Sequence, residues 1–210
     1  MRLIIAMESL REKNPDLYGK ERISIGFWVG GNVTPNKFSD YSETDKYKKD
    51  EFTRKLTKQI IRCPYCGKPI SKSNYEINKK EMTVKIHCTD PSCMFSKRSG
   101  RTMPVYLVDE EIYAKCPTVI ISTVDKFARL PWSEKVGLLF GKTNRYCTRC
   151  GYIAVGESHP GRHNADKAAG LEKAKTMECK PFYPPELIIQ DELHLITGPL
   201  GTIYGGYETV

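Results

Sequence analysis

The sequence predicts an α/β fold in which a parallel sheet is interrupted by two cysteine-rich insertions. Three short apolar stretches, at 23–29, 118–122 and 187–190, have the length and composition of buried strands. Helical periodicity over 1–13 and a polar helical segment over 46–60 add helices to these strands. Two Cys-x-x-Cys pairs lie between the strands. The order of these elements favours a sheet domain with metal-binding insertions.

Composition limits the class of protein. The chain has 210 residues, of which 40% are hydrophobic, so it can form a core and is not disordered by composition. Lys and Arg number 33 against 25 Asp and Glu, and the net charge of +8 favours a polyanionic partner such as nucleic acid. A soluble basic protein without such a partner has the same balance. No apolar run reaches membrane-spanning length and no secretory signal is evident, which predicts a cytoplasmic protein with no membrane partner.

The first cysteine group predicts a closed zinc site. The eight cysteines are not expected to form disulfide bonds, because no secretory signal accompanies them. Cys63 and Cys66 form a knuckle with a following glycine, and an alternating strand at 82–86 leads to Cys88 and then Cys93. Four thiolates at this spacing make a tetrahedral structural site with no open position. His87 is interpreted as a surface residue beside this site.

The second cysteine group is predicted to hold another zinc ion. Cys147 and Cys150 form its knuckle, and His159, His163 and Cys179 are the candidates to complete it. Cys179 is the best thiol, so we predict that His163 and Cys179 complete the site with Cys147 and Cys150. His159 is an equally suitable donor. The segment 156–175 has little core-forming character and is predicted to be a basic loop.

The apolar stretch at 187–190 runs into adjacent carboxylates, Asp191 and Glu192, with His194 two positions later. Open α/β sheets bind ligands beyond the carboxyl ends of their strands. A nucleoside triphosphate bound with Mg²⁺ needs one acid to hold the metal and another to orient the attacking water. Asp191 fits the first role and Glu192 the second. The alternative interpretation is a buried strand that ends in a solvated acidic turn.

The letters Asp191-Glu192-Leu193-His194 resemble the D-E-x-H box of superfamily 2 helicases and translocases. The continuation over 195–202 is similar to the helicase-like protein of bacterial DISARM anti-phage systems. The resemblance implies a partial RecA-like parallel sheet, with ATP and Mg²⁺ as ligands of the complete enzyme. It also implies that His194 couples the nucleotide to the nucleic-acid side.

Two further motifs carry the same resemblance. Gly30 and Gly31 follow a strand, as does the glycine pair that lies under the nucleic-acid backbone in these helicases. Thr123 and Lys126 belong to a Thr-Val-Asp-Lys segment similar to the Thr-Pro-Gly-Arg-like motif that grips the tracking strand, with Val124 in place of the proline. An ordinary turn and a plain capped helix are the alternatives for these two segments.

The resemblance implies five consecutive segments: 1–60, the first part of the RecA-like domain; 61–100, an inserted Cys₄ zinc ribbon; 101–141, the continuation of the domain; 142–182, a second zinc-knuckle insertion; and 183–210, the strand with the acidic box.

The departures from the family predict an internal fragment that is inactive alone. No phosphate-binding loop precedes the first helix, and the triplet at 141–143, Gly-Lys-Thr, lacks the loop spacing. The second RecA-like domain and its arginine finger are also absent. The expected partners are nucleic acid, in the first place DNA, the remaining parts of the helicase and other defence-system subunits. The competing hypothesis is a non-enzymatic zinc-ribbon module that binds nucleic acid or protein. A metal-dependent hydrolase is disfavoured, because adjacent carboxylates on a strand point to opposite faces.

Overall fold

Helices and short strands alternate along the chain, as the sequence predicts. The computed structural model describes residues 1–127, without the side chain of Phe127, and 133–191. Within these residues the helices are α1 Arg2–Lys13, α2 Pro15–Tyr18, α3 Lys46–Thr57, α4 Asp109–Lys115 and α5 Val124–Phe127. The strands are β1 Ile25–Trp28, β2 Tyr75–Asn78, β3 Thr83–Ile86, β4 Val105–Tyr106, β5 Val119–Ser122, β6 Thr143–Cys147, β7 Gly151–Ala154, β8 Arg162–His163 and β9 Ala174–Glu178.

The described residues form two compact units. The first contains Met1–Ile112 and Pro117–Ile121, and the second contains Tyr113–Cys116 and the described residues from Ser122 onward. In this part of the chain, no helix combines the length and apolarity that crossing a bilayer would require.

A three-stranded sheet in the order β4-β1-β5 is the centre of the first unit. Its strands are parallel, and Ile25 of β1 lies opposite Val105 of β4. Both side chains are buried. The structure thus confirms the mixed α/β class with a parallel sheet.

One predicted strand of this sheet is less buried than its sequence indicates. We predicted a buried strand over 118–122, but β5 exposes 36% of Val119 and 46% of Ile121. Among the described residues, β5 lies at one end of the sheet and pairs with one strand, whereas β1 pairs with two. An apolar stretch predicts a strand, but its neighbours determine how deeply the strand is buried.

The first cysteine group grows out of the same core. Strands β2 and β3 form an antiparallel hairpin that leads directly to Cys88. Glu111 of α4 is buried, and its carboxylate accepts the amide of Val84 on β3 at 3.2 and 3.3 Å. A buried carboxylate is stable only when it is hydrogen-bonded. Glu111 therefore anchors the strand that delivers a metal-ligating cysteine.

The second unit contains a four-stranded antiparallel sheet in the order β7-β6-β9-β8. We predicted a loop over 156–175, and this prediction is wrong where β8 and the start of β9 pair with each other. Strand pairing across the sheet, which is not visible as a local hydrophobic pattern, gives this segment its structure. The second cysteine group lies on this sheet.

Candidate metal centres

Cys63, Cys66, Cys88 and Cys93 converge on one point in the first unit, as their spacing predicts. Their sulfur atoms all lie within 4.8 Å of one another. The Sγ–Sγ distance is 3.9 Å between Cys63 and Cys93 and 3.4 Å between Cys66 and Cys88. A tetrahedral zinc ion with Zn–S bonds of 2.3 Å separates its sulfur ligands by about 3.8 Å. The donor set and its spacing therefore fit zinc, and four protein ligands leave no position for a substrate.

The knuckle turn supplies backbone donors to the sulfur atoms. Gly67 has a φ of +78°, which favours glycine, and its amide donates to the Cys63 carbonyl at 2.8 Å. The Asp90 amide lies 3.4 Å from the Cys88 sulfur and donates to it. Burial tends to raise the pKa of the Cys66 thiol, but a hydrogen bond from the Lys68 amide and bonds with the other thiols lower it. Such donors stabilise thiolates around a structural metal.

Cys88 and Cys93 of this cluster have thiols that favour a proton unless a cation is present. Burial raises the pKa of Cys88 to about 11 and also raises the pKa of Cys93. A bound zinc ion reverses this preference, because it stabilises thiolates directly. The chemistry of the cluster is therefore that of a structural metal site.

His87 beside this cluster is not a surface residue, so our interpretation of it was wrong. Only 6% of it is exposed, and its Nδ1 lies 3.2 Å from the Arg101 carbonyl. His87 directly follows β3, and its amide donates to the Asn74 carbonyl at 3.0 Å.

Cys147, Cys150, His159 and His163 form the second cluster, with one donor atom of each residue within 4.8 Å of the others. The Cys150 sulfur lies 3.6 Å from His163 Nε2. Zinc with bonds of about 2.3 Å to sulfur and about 2.05 Å to nitrogen separates such ligands by about 3.6 Å. The residues therefore fit a tetrahedral Cys₂His₂ site.

Strand register excludes Cys179 from this cluster, contrary to our preferred ligand set. Cys147 lies directly opposite Thr176 in the β6–β9 pair. Cys179 is three residues further along, and its amide donates to the Asn144 carbonyl at the other end of β6. Three residues of extended chain span about 10 Å. His159 takes the fourth position, and its spacing of four residues from His163 was the signal for this pair.

Two polar groups lie within hydrogen-bond distance of Nδ1 of the His159 ring. Its Nδ1 lies 2.9 Å from the Pro160 carbonyl, which can only accept a hydrogen bond, so Nδ1 carries the proton. Nδ1 also lies 3.1 Å from the Thr176 hydroxyl, which itself donates to the Pro160 carbonyl at 2.7 Å. Nε2 is therefore left as the nitrogen with a lone pair for a metal. Sequence reasoning missed Thr176, because no local motif marks it.

The cysteine knuckle of the second cluster also requires its glycine. Gly151 has a φ of +96°, and a Cβ atom there would lie 2.2 Å from the Ala114 carbonyl oxygen. Amides of Cys150 and Arg149 donate to the Cys147 sulfur, and they lower its pKa although burial opposes this effect. Burial, and to a smaller extent the charge of Cys147, raises the pKa of the Cys150 thiol to about 11. Each cluster thus combines a knuckle glycine at positive φ with backbone amides that donate to a cysteine sulfur.

Comparison with known proteins supports the predicted similarity to a DISARM protein. No protein-family model matches the chain. The DISARM protein DrmA of Bacillus paralicheniformis is 54% identical over 218 residues, which cover 100% of this chain and 19% of that protein. The chain is therefore similar over its whole length to part of a DISARM protein. It spans about a fifth of the length of this curated relative.

The predicted acidic box lies at the edge of the described residues. Asp191 is exposed, whereas Glu192 and His194 lie outside the described residues. The buried strand that we predicted over 187–190 is absent, because these residues have no regular secondary structure and Leu187 and Ile189 are 74% and 81% exposed. An apolar run becomes a buried strand only when neighbouring strands pair with it, and within 1–127 and 133–191 none does.

The other predicted nucleic-acid contacts are placed as follows. The Gly30 carbonyl accepts the amides of Val33 and Thr34 at 2.7 and 3.2 Å, so the glycine pair opens a turn in the first unit. In the second unit, Thr123 is exposed and directly precedes α5. Lys126 is only 4% exposed, so its ammonium group is not presented to phosphate in this conformation.

The role of Thr176 can be tested by its effect on zinc affinity. We expect Thr176→Val to weaken zinc binding at the second cluster by about 10- to 100-fold, because His159 loses the hydroxyl that orients its ring. Thr176→Ser should bind as the unchanged chain does. Titration with a chromophoric chelator measures both clusters in one sample, so the first cluster is the internal control. Equal affinities of the valine and serine variants would contradict this role.

Proposed function

We propose that the chain is a zinc-bound segment of an ATP-dependent nucleic-acid helicase or translocase that acts in anti-phage defence. The observation that carries this proposal is the 54% identity to a DISARM protein over 100% of the chain. The letters Asp191-Glu192-Leu193-His194 support the motor assignment, because they match the box of superfamily 2 helicases. The +8 charge supports a nucleic-acid partner.

The proposed division of labour follows from the chemistry of the residues. In the complete enzyme, Asp191 holds Mg²⁺ and Glu192 orients the water that attacks ATP. The two zinc ions have a structural role, since each cluster already offers four ligands. Gly30, Gly31 and Thr123 are proposed to contact the nucleic-acid backbone. Lys126 can join them only if its surroundings rearrange, because it is buried.

A second candidate is a zinc-ribbon module without ATP hydrolysis. One observation favours it for this chain in isolation. The triplet Gly141-Lys142-Thr143 is not a phosphate-binding loop, because Thr143 begins strand β6 instead of a helix. A phosphate-binding loop encoded in the same polypeptide would favour the motor, and its absence there would favour the module.

The experiment is a parallel measurement of zinc content and ATP turnover. We expect about two zinc ions per purified chain and no nucleic-acid-stimulated ATP hydrolysis by the chain alone. The complete polypeptide that carries this segment should hydrolyse ATP. A zinc content near zero would contradict both metal centres, and robust turnover by the 210-residue chain would contradict the division of labour.

A further inference from the structure

One face of the antiparallel sheet in the second unit carries a row of tyrosine and methionine side chains. Tyr146 on β6 lies directly opposite Tyr152 on β7 and Met177 on β9. The two tyrosine rings are 5.1 Å apart and nearly perpendicular. Directly opposed residues of antiparallel strands point to the same face. These three side chains therefore form one row across three strands, and 40% of Met177 is exposed.

The same face continues into a pair of cations. Lys175 lies two residues before Met177, so both side chains are on one face. Lys175 is directly opposite Arg162 of β8, and both residues are exposed. Like charges in direct opposition destabilise a sheet unless something compensates them. An anionic ligand would provide that compensation.

The zinc cluster does not occupy this face. Cys147 and its partner Thr176 alternate with Tyr146, Met177 and Lys175 along their strands, so they point to the opposite side. Thr176 contacts His159, in agreement with this assignment. One side of the sheet thus holds the metal ligands, and the other presents aromatic, thioether and basic groups.

We propose that this face, which we call the tyrosine face (Tyr146, Tyr152, Arg162, Lys175 and Met177), binds single-stranded nucleic acid. Bases stack on the two tyrosine rings, and phosphates contact Arg162 and Lys175. Proteins that bind single strands combine a basic surface with aromatic platforms in this way. The described strand positions of this face carry two cations and no acid, which favours a polyanion over a protein surface.

This inference rests on the proposed function, because it assigns a second contact to the nucleic acid on which the motor acts. Phe182 marks one border of the face, since its ring lies 4.9 Å from that of Tyr152. Tyr146, between Tyr152 and Met177, is therefore the residue whose loss should matter most for stacking.

The test is fluorescence anisotropy of a labelled oligothymidylate of about twelve nucleotides with the zinc-loaded chain. We expect Arg162→Glu with Lys175→Glu to weaken binding about tenfold or more and to reduce the slope of log affinity against log salt by about 1.4. Lys20→Glu with Lys58→Glu, two exposed positions of the first unit, makes the same change of charge and should leave most of the affinity.

Tyrosine variants test stacking separately from charge. Tyr146→Ala should bind about tenfold more weakly, whereas Tyr146→Phe should bind normally, because a phenyl ring also stacks. If Tyr146→Ala does not fold, the comparison between the two charge-reversed pairs decides whether the tyrosine face binds the single strand. Labelled oligouridylate in the same assay shows whether the tyrosine face prefers deoxyribose or ribose. Tight binding of either oligonucleotide supports the proposal.

Three outcomes would overturn the proposal: no binding of either strand by a chain that carries two zinc ions, equal losses in the two charge-reversed pairs, or unchanged binding by Tyr146→Ala. Zinc content is measured on each sample. A chain with two zinc ions and no affinity for the strands refutes the tyrosine face alone, whereas a chain without zinc counts against the proposed function.

Discussion

Removal of zinc from the first cluster should unfold the first unit. Cys63, Cys88 and Cys93 belong to the same buried cluster as Ile86 and Phe95, so the metal ligands are part of the hydrophobic core. Structural zinc supplies about 10–16 kcal/mol of apparent binding free energy in zinc-finger peptides, whereas a whole domain is stable by about 5–15 kcal/mol. Loss of the ion therefore removes an amount comparable to the entire stability of this unit.

The measurement is thermal unfolding followed by circular dichroism, with and without a strong chelator. We expect the chelator to abolish the cooperative transition of the first unit, and Cys88→Ser to have the same effect without chelator. Cys179→Ser is the matched control, since Cys179 lies outside both clusters and the chemical change is identical. A Cys88→Ser variant with two zinc ions and an unchanged midpoint would contradict the prediction.

Cys179→Ser, compared with His159→Ala, also decides between the two ligand sets of the second site. A ligand set containing Cys179 requires that Cys179→Ser lose about one zinc ion per chain. The structure requires that His159→Ala lose it instead, because His159 supplies the fourth donor.

The two metal centres show which parts of the site could be predicted from the sequence. The convergence of the four cysteines of the first cluster could be predicted, because the knuckle at Cys63 and the hairpin that leads to Cys88 are local structures with recognisable signals. The second ligand set depends on the register of β6 against β9, which separates Cys179 from Cys147 by three residues. Register is fixed by packing across the sheet, so spacing alone could not choose between His159 and Cys179.

The parallel sheet shows the same limit for burial. Apolar composition predicted strands over 23–29 and 118–122, and β1 and β5 lie within these two ranges. It could not predict that β5 would lie at one end of the described sheet, or that Leu187 and Ile189 would be exposed. Lys126 is the opposite case, because the resemblance implies a contact with the tracking strand whereas the side chain is buried. Burial of a side chain depends on the residues that pack against it, and these residues are distant in sequence.

In the complete polypeptide, Glu192→Gln should nearly abolish ATP hydrolysis while ATP binding persists. The proposed function gives the two acids different roles, with Asp191 on Mg²⁺ and Glu192 on the attacking water. Loss of a group that positions or deprotonates the nucleophile costs about 10²- to 10⁴-fold in rate.

The measurement is single-turnover and steady-state ATP hydrolysis in the presence of nucleic acid, with filter retention of bound ATP. Glu192→Gln should retain ATP unhydrolysed, whereas Asp191→Asn should weaken retention that depends on Mg²⁺. Glu186→Gln, an exposed position five residues before Asp191, makes the same chemical change as Glu192→Gln and should hydrolyse ATP normally. Unchanged turnover by Glu192→Gln would remove this carboxylate from the mechanism, and the zinc-bound binding module would then be the better account of the chain.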